Sequence, residues 1–284
     1  MTPPFRTRRS LLFVPAVRPD RYPKALATGA DAVCIDLEDG VSFADKDKAR
    51  IAAIDLFRSR ADTRAEVSLR INDQKTDLGQ RDLEALRQAD VRPDALMLPK
   101  CDSPGEVRDV SNALSGISPT LPLIVMAETA RGVAAAEAIA TASPNVSAMF
   151  FGAIDYAADI GCAVEWDAVL FARSRVVLAA AIANVSPIDS PFMDVPALDV
   201  LAHECSRTQA LGFVGKAAIH PTQVSTIQQA FTPAAADVAW AKQIVEAYET
   251  NNGGVLLVDG KLIERPVIAS AKRTLALAST VEDV

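Results

Sequence analysis

Two acidic residues, Glu128 in LIVMAETARG and Asp155 in MFFGAIDYAADIG, each follow an apolar run with the make-up of a buried strand. They lie roughly one βα unit apart, so on neighbouring parallel strands they would meet at the sheet's carboxyl edge and share one cation. Hard oxygen ligands favour Mg²⁺ over Zn²⁺, and the chain has only two histidines. Other polar residues close further apolar runs: Glu38 and Asp39 after AVCIDL, Arg70 after VSL, Lys100 after ALMLP and His220 after GKAAI. Any one of them could cap a helix or form a surface ion pair. Gathered at one rim, the carboxylates of Glu38, Asp39, Glu128 and Asp155 would stay partly protonated unless a divalent cation and Arg70 compensated them.

Arg70 suits bidentate binding of a carboxylate or enolate, and an ion pair with Glu38 or Asp39 is compatible with that role. Gly152 allows close backbone approach, so the amides of Gly152, Ala153 and Ile154 are candidates for holding a substrate carboxylate. Arg18, Arg21 and Lys24 after the first run, with Lys216 in the last, read either as a phosphate-binding rim or as a solvated basic face. His203 falls within a helical pattern and reads as a partly buried structural residue, whereas His220 at a strand end is open to a structural or a catalytic role.

Eight apolar runs could position these residues: LLFVP, AVCIDLE, VSLRIN, ALMLPK, LPLIVMAE, SAMFFGA, the weaker SPIDSPF and VGKAAIHP. Between them, stretches such as 43–58, 78–88 and 133–142 carry apolar residues at helical spacing. Ser103, Pro104 and Glu106 form a helix-start signature, and Pro221 favours another start. A doubly wound sheet would alternate in the same way; the count of eight selects a (β/α)₈ TIM barrel over residues 1–250. After the NNGG cluster, VLLVDGKLIERP predicts a hairpin turning at Asp259-Gly260 and leading into a last helix, a C-terminal extension over 251–284. Residues Met1 to Arg8 read as a frayed lead-in.

With 284 residues, half of them hydrophobic, the chain can bury a large core. A net charge of -7 argues against general nucleic-acid binding. The cysteines at 34, 101, 162 and 205 have neither zinc spacing nor a disulfide framework, and the first apolar run is too short and Pro-broken to span a membrane. Reduced thiols in a cytoplasm are the expectation.

RRSLLFVPAVRPDR, IDLEDGV, LRIN, MLPK, ETARG, FGAIDYAADIG, GFVGKAAIHPTQ and DGKLIERPV follow one another as in the citrate lyase β-subunit-like family, which includes malyl-CoA and citramalyl-CoA lyases, and the chain resembles that family over nearly its whole length. The resemblance implies a TIM barrel that cleaves or forms a carbon–carbon bond in a short 3-hydroxyacyl-CoA, with Mg²⁺ on Glu128 and Asp155. It further implies Arg70 on the reacting oxygen, Glu38 and Asp39 positioning metal-bound water or substrate, and the basic rim on coenzyme A. A 2-oxo acid and an acyl-CoA would be the small-molecule partners, and a homo-oligomer, commonly a trimer, is implied as well. The family's tail aspartate, implicated in proton transfer at a neighbouring subunit's mouth, is Glu264 here; glutamate keeps the acid but adds a methylene. Besides the lyase, three readings stay open: a thioesterase on the same kind of ester, a non-catalytic subunit of a larger assembly, and a CoA-independent aldolase.

Overall fold

The structure is a computed structural model and describes residues 6–251 and 256–282. Eight short strands form β1 (Ser10–Pro15), β2 (Ala32–Asp36), β3 (Glu66–Arg70), β4 (Ala95–Leu98), β5 (Leu123–Ala127), β6 (Val146–Phe151), β7 (Ser186–Asp189) and β8 (Gly215–Ala218). Each pairs in parallel with the next, and β8 pairs with β1, closing the barrel. The eight runs read from the sequence are these strands; the weak seventh has only four residues in its strand. Alternate residues point inward, so Leu11, Ala32, Cys34, Ala95, Met97, Ile124, Met126, Ala148, Phe150, Ile188 and Ala217 pack with Phe13 into the interior. Phe13 and Phe150 meet edge to face at 6.0 Å.

The surrounding helices follow the apolar spacing with local differences. The expected helix over 43–58 is a 3₁₀ turn, Phe43–Asp45, leading into Lys46–Ser59, and that over 133–142 is two short pieces, Ala130–Ala134 and Ala136–Ala140. Helix Pro104–Leu114 starts where the signature places it, but with different contacts: Glu106 reaches back to accept from the Asp102 amide at 2.9 Å and from the Ser103 hydroxyl at 3.1 Å. Arg8 is not frayed. It is buried below the barrel, its guanidinium donating to both Glu66 carboxylate oxygens at 2.8 and 2.9 Å. No helix among the described residues is long and apolar enough to cross a membrane.

The chain divides into two compact units, Met1–Gln228 and Gln229–Val284. The second takes in helix Ala235–Thr250, which the sequence reading leaves with the barrel, because that helix packs on the final helix, Arg265–Glu282. Its core gathers Ala241, Ile244, Val258, Ile263, Ile268 and Ala271. The expected hairpin is present as antiparallel β9 (Leu256–Val258) and β10 (Lys261–Ile263), with Asp259 and Gly260 both at positive φ, 49° and 75°. Most of the NNGG cluster lies outside the described residues.

Candidate active site

Strand parity decides which polar side chains reach the barrel mouth. On β2 the inward row is Ala32, Cys34 and then Asp36; on β5 it is Ile124, Met126 and then Glu128. Asp36 is the side chain the sequence reading missed, because the run AVCIDLE was taken to end at Glu38, whereas β2 ends at Asp36. The parallel register sets Asp36 beside Arg70. Arg70 Nε and one terminal nitrogen each donate to an Asp36 oxygen at 2.7 Å, and the other terminal nitrogen lies 2.9 Å from Glu38. Asp36 also accepts the Glu38 and Gly40 amides at 2.9 Å, tying down the loop that carries Glu38 and Asp39. Burial alone would raise the Asp36 carboxyl, but the Arg70 guanidinium outweighs it and holds the group below its ordinary value. The Arg70 guanidinium stacks 4.8 Å from the Phe13 ring centre.

Lys100 completes this chain of charges, its ammonium 2.5 Å from Glu38 and 3.8 Å from Asp39. Asp36, Arg70, Glu38 and Lys100 alternate in sign and cancel. Glu128 and Asp155 are left over, together with exposed Asp39. Glu128 is 1% exposed and accepts the Lys100 amide at 2.8 Å. Burial and then the Asp155 charge push its carboxyl up to about 8, and burial and then Asp39 raise Asp155. A divalent cation between Glu128 and Asp155 would offset their mutual repulsion and favour the charged form of both.

The donor set fits magnesium. Among the described residues no group of three or more His, Cys, Asp or Glu side chains could cage a metal, whereas Mg²⁺ commonly takes one or two carboxylates and fills its octahedron with water and substrate. The backbone at Gly152 makes room for Glu128: a Cβ there would fall 2.3 Å from Glu128 Oε2. Gly152 precedes helix Ala153–Ile160, whose first-turn amides have no acceptor within the helix.

These groups face a cavity of about 920 Å³. Arg70, Asp39, Glu128, Asp155, Gly152, Ala153 and Ile154 line it, as do Asp36 and, on the side of β1, exposed Arg18, Arg21 and Lys24. Arg18 is paired with Asp20 at 2.7 Å. His220 lines it too, its Nδ1 2.8 Å from the Thr222 hydroxyl. His203, by contrast, is exposed on helix Leu198–Leu211 rather than partly buried. The apolar wall includes Leu12, Phe13, Met126 and Phe150.

Lys216 does not join the basic rim. Its neighbour Ala217 takes the inward position on β8, so Lys216 points outward and is fully buried, with Asp189 and Glu204 each at 2.6 Å from its ammonium. Arg173 pairs with the same Asp189 at 3.0 Å, so the group ties β7 and β8 to the helices outside them. In the second unit Glu264 is exposed, and its carbonyl accepts the Val267 and Ile268 amides at the start of the last helix.

The chain matches the HpcH/HpaI aldolase/citrate lyase family over residues 9–221 and the C–C bond lyases of the TIM-barrel fold over residues 169–281. Among named relatives it is 30% identical to mitochondrial citramalyl-CoA lyase of Mus musculus, over 97% of this chain and 87% of that protein. It is 33% identical to L-malyl-CoA/beta-methylmalyl-CoA lyase of Cereibacter sphaeroides, over 99% and 96%. Among solved structures, CitE from Mycobacterium tuberculosis in complex with magnesium, acetoacetate and coenzyme A superposes with a TM-score of 0.79 at 32% identity, covering 96% of this chain and 98% of that one. A closed eight-stranded barrel with its acids at the strand ends, together with these matches, makes the chain a carbon–carbon lyase of the HpcH/HpaI aldolase/citrate lyase family.

Proposed function

We propose that this lyase is Mg²⁺-dependent and cleaves a short 3-hydroxyacyl-CoA, such as malyl-CoA or citramalyl-CoA, into an acyl-CoA and a 2-oxo acid. The observation that carries the reading is the pair left uncompensated at the cavity floor, Glu128 and Asp155, beside a charge-balanced Arg70. The names of the relatives, two of them acyl-CoA lyases, support the substrate class.

A magnesium ion held by Glu128 and Asp155 would supply Lewis-acid polarisation of the substrate's hydroxyl and carboxylate oxygens. Arg70 keeps two of its five N–H groups beyond those given to Asp36 and Glu38, and these donate to the oxygen that becomes the 2-oxo group. The first-turn amides of Ala153 and Ile154 hold the adjacent carboxylate. Asp39, exposed in the cavity wall, takes the hydroxyl proton as the bond between C2 and C3 opens and its electrons pass into the thioester as an enolate. Protonation at C2 then releases the acyl-CoA. Glu264 serves as that acid, carried by the second unit to the mouth of a neighbouring copy in a homo-oligomer, a trimer by analogy with the family. Arg18, Arg21 and Lys24 meet the phosphates of coenzyme A.

The test is to incubate the protein with malyl-CoA and with citramalyl-CoA, with Mg²⁺ or with EDTA, and to follow 2-oxo acid and free CoA separately by mass spectrometry. Mg²⁺-dependent oxo acid without early free CoA is expected. Early free CoA would replace the reading with a thioesterase, and cleavage of the free hydroxy acid would replace it with a CoA-independent aldolase.

A further inference from the structure

Four described residues other than glycine have positive φ: Asp90, Lys100, Asn184 and Asp259. Asp90 and Asn184 end helices and Asp259 turns the hairpin, places where short polar side chains adopt this conformation readily. Lys100, at φ 51°, is a long side chain in a position that glycine would occupy without strain. Strain kept in this way points to contacts that no relaxed residue could make together. The left-handed turn just after β4 sends the Lys100 amide to Glu128 Oε1 at 2.8 Å and its ammonium the other way, to Glu38 Oε1 at 2.5 Å. One residue thus touches both the acid assigned to the metal and the acid that holds Arg70.

We propose that Lys100 is a positioning residue: its ammonium fixes Glu38, and through Glu38 the Arg70 guanidinium, in the geometry that receives the 2-oxo acid, while its amide alone orients Glu128. Lys100 itself does not line the cavity, so its effect on substrate passes through its neighbours. Without the ammonium, Glu38 loses its second cation and competes with Asp36 for Arg70, which turns the free N–H groups away from the substrate oxygen. A cation has also left the neighbourhood of Asp155, so Mg²⁺ affinity is held or raised. The inference rests on the lyase reading for what Arg70 binds.

Glycine separates the two contacts, because Lys100→Gly keeps the amide and the backbone turn while deleting the ammonium. In the full-length protein we expect Lys100→Gly to unfold within a few degrees of wild type and to bind Mg²⁺ at least as tightly by calorimetry. Its Mg²⁺-dependent affinity for pyruvate and its kcat should each fall about tenfold or more, and Lys100→Arg should recover most of both. The Arg70 side-chain ¹⁵N–¹H signal, assigned by its loss in Arg70→Lys, should shift and exchange faster in Lys100→Gly. Pyruvate affinity, kcat and the Arg70 signal all unchanged would overturn the proposal, and so would Mg²⁺ binding and thermal stability lost together with activity, which marks a merely structural residue. The Arg70 signal reads the positioning without any substrate. A wild-type protein that neither binds pyruvate nor cleaves the thioesters therefore sinks the functional reading, while the signal still decides the role of Lys100.

Discussion

At the scale of single residues, charge arithmetic separates groups that hold one another from groups that await a ligand. Glu128→Gln removes one of the two acids proposed to hold the metal without changing shape. Calorimetry should show Mg²⁺ binding weakened by at least a hundredfold, with the melting temperature retained because the amide keeps the shape and an acceptor for the Lys100 N–H. Arg70→Lys keeps the charge but not the fork, and Lys cannot meet Asp36 side-on while donating to Glu38 and to substrate. A fall in kcat/KM of about 10²–10³ with Mg²⁺ binding intact is expected from steady-state kinetics. Most of these residues were legible in the sequence, since Arg70, Glu128 and Asp155 each follow an apolar run and each lines the cavity. Asp36 was missed because β2 ends two residues before the point where the apolar run was taken to stop, and Lys216 was misread through parity. A residue's face is set by whether it lies an even or odd number of steps from its inward neighbours, and the even spacing of Cys34 and Asp36 gives the one, the adjacency of Lys216 and Ala217 the other. The runs show where strands lie more clearly than which alternate row faces the mouth.

At the scale of elements, the barrel's strand ends are tied to the outer helices by buried charge as well as by apolar packing. Asp189 at the end of β7 faces both Lys216 and Arg173, and all three side chains are buried. Asp189→Asn should cost about 3 kcal/mol by urea unfolding, since it leaves two buried cations with Glu204 alone between them. The pH dependence of the intact group has a definite sign. Burial would raise the Asp189 carboxyl, but Lys216 and then Arg173 bring it below its ordinary 3.8. Its contribution is thus present above that value and disappears as pH falls through the lower, folded value. Burial would lower the Lys216 ammonium, but Asp189 and Glu204 raise it above 10.5, so its contribution is present below 10.5 and disappears only as pH rises through the folded value. Between about pH 5 and 9 the pair should add no slope to stability, and an unfolding series in which Asp189→Asn flattened a slope in that window would refute the assignment. The network was not legible beforehand, because it joins β7, β8 and two helices that no local pattern connects. The Gly152 contact is an element-scale device of another kind. Gly152→Ala would set a methyl 2.3 Å from Glu128 Oε2, so the β6 end or the Glu128 side chain must move, and Mg²⁺ affinity should drop with little change in circular dichroism.

At the scale of the whole molecule, the proposal that the second unit serves a neighbouring barrel makes a quantitative prediction. It has its own apolar core and an exposed acid, Glu264, at the start of its last helix. If each tail completes the mouth of a neighbouring copy, two inactive variants should complement one another. Glu128→Gln has a dead floor and a sound tail, while Glu264→Ala has a sound floor and a dead tail. Mixed in equal amounts and allowed to exchange subunits, a site works only where a sound floor meets a sound tail from next door. Random assembly makes that about a quarter of sites, so the mixture should recover about a quarter of wild-type turnover where each parent alone shows almost none. A tail that served its own barrel would leave the mixture as inactive as its parents, because each copy then carries one defect that no neighbour can repair. The same pair of variants also tests the glutamate. Glu264→Asp restores the shorter acid of the family, and turnover that rises in this variant while KM holds would show that the added methylene, rather than the metal floor, limits proton transfer to the enolate.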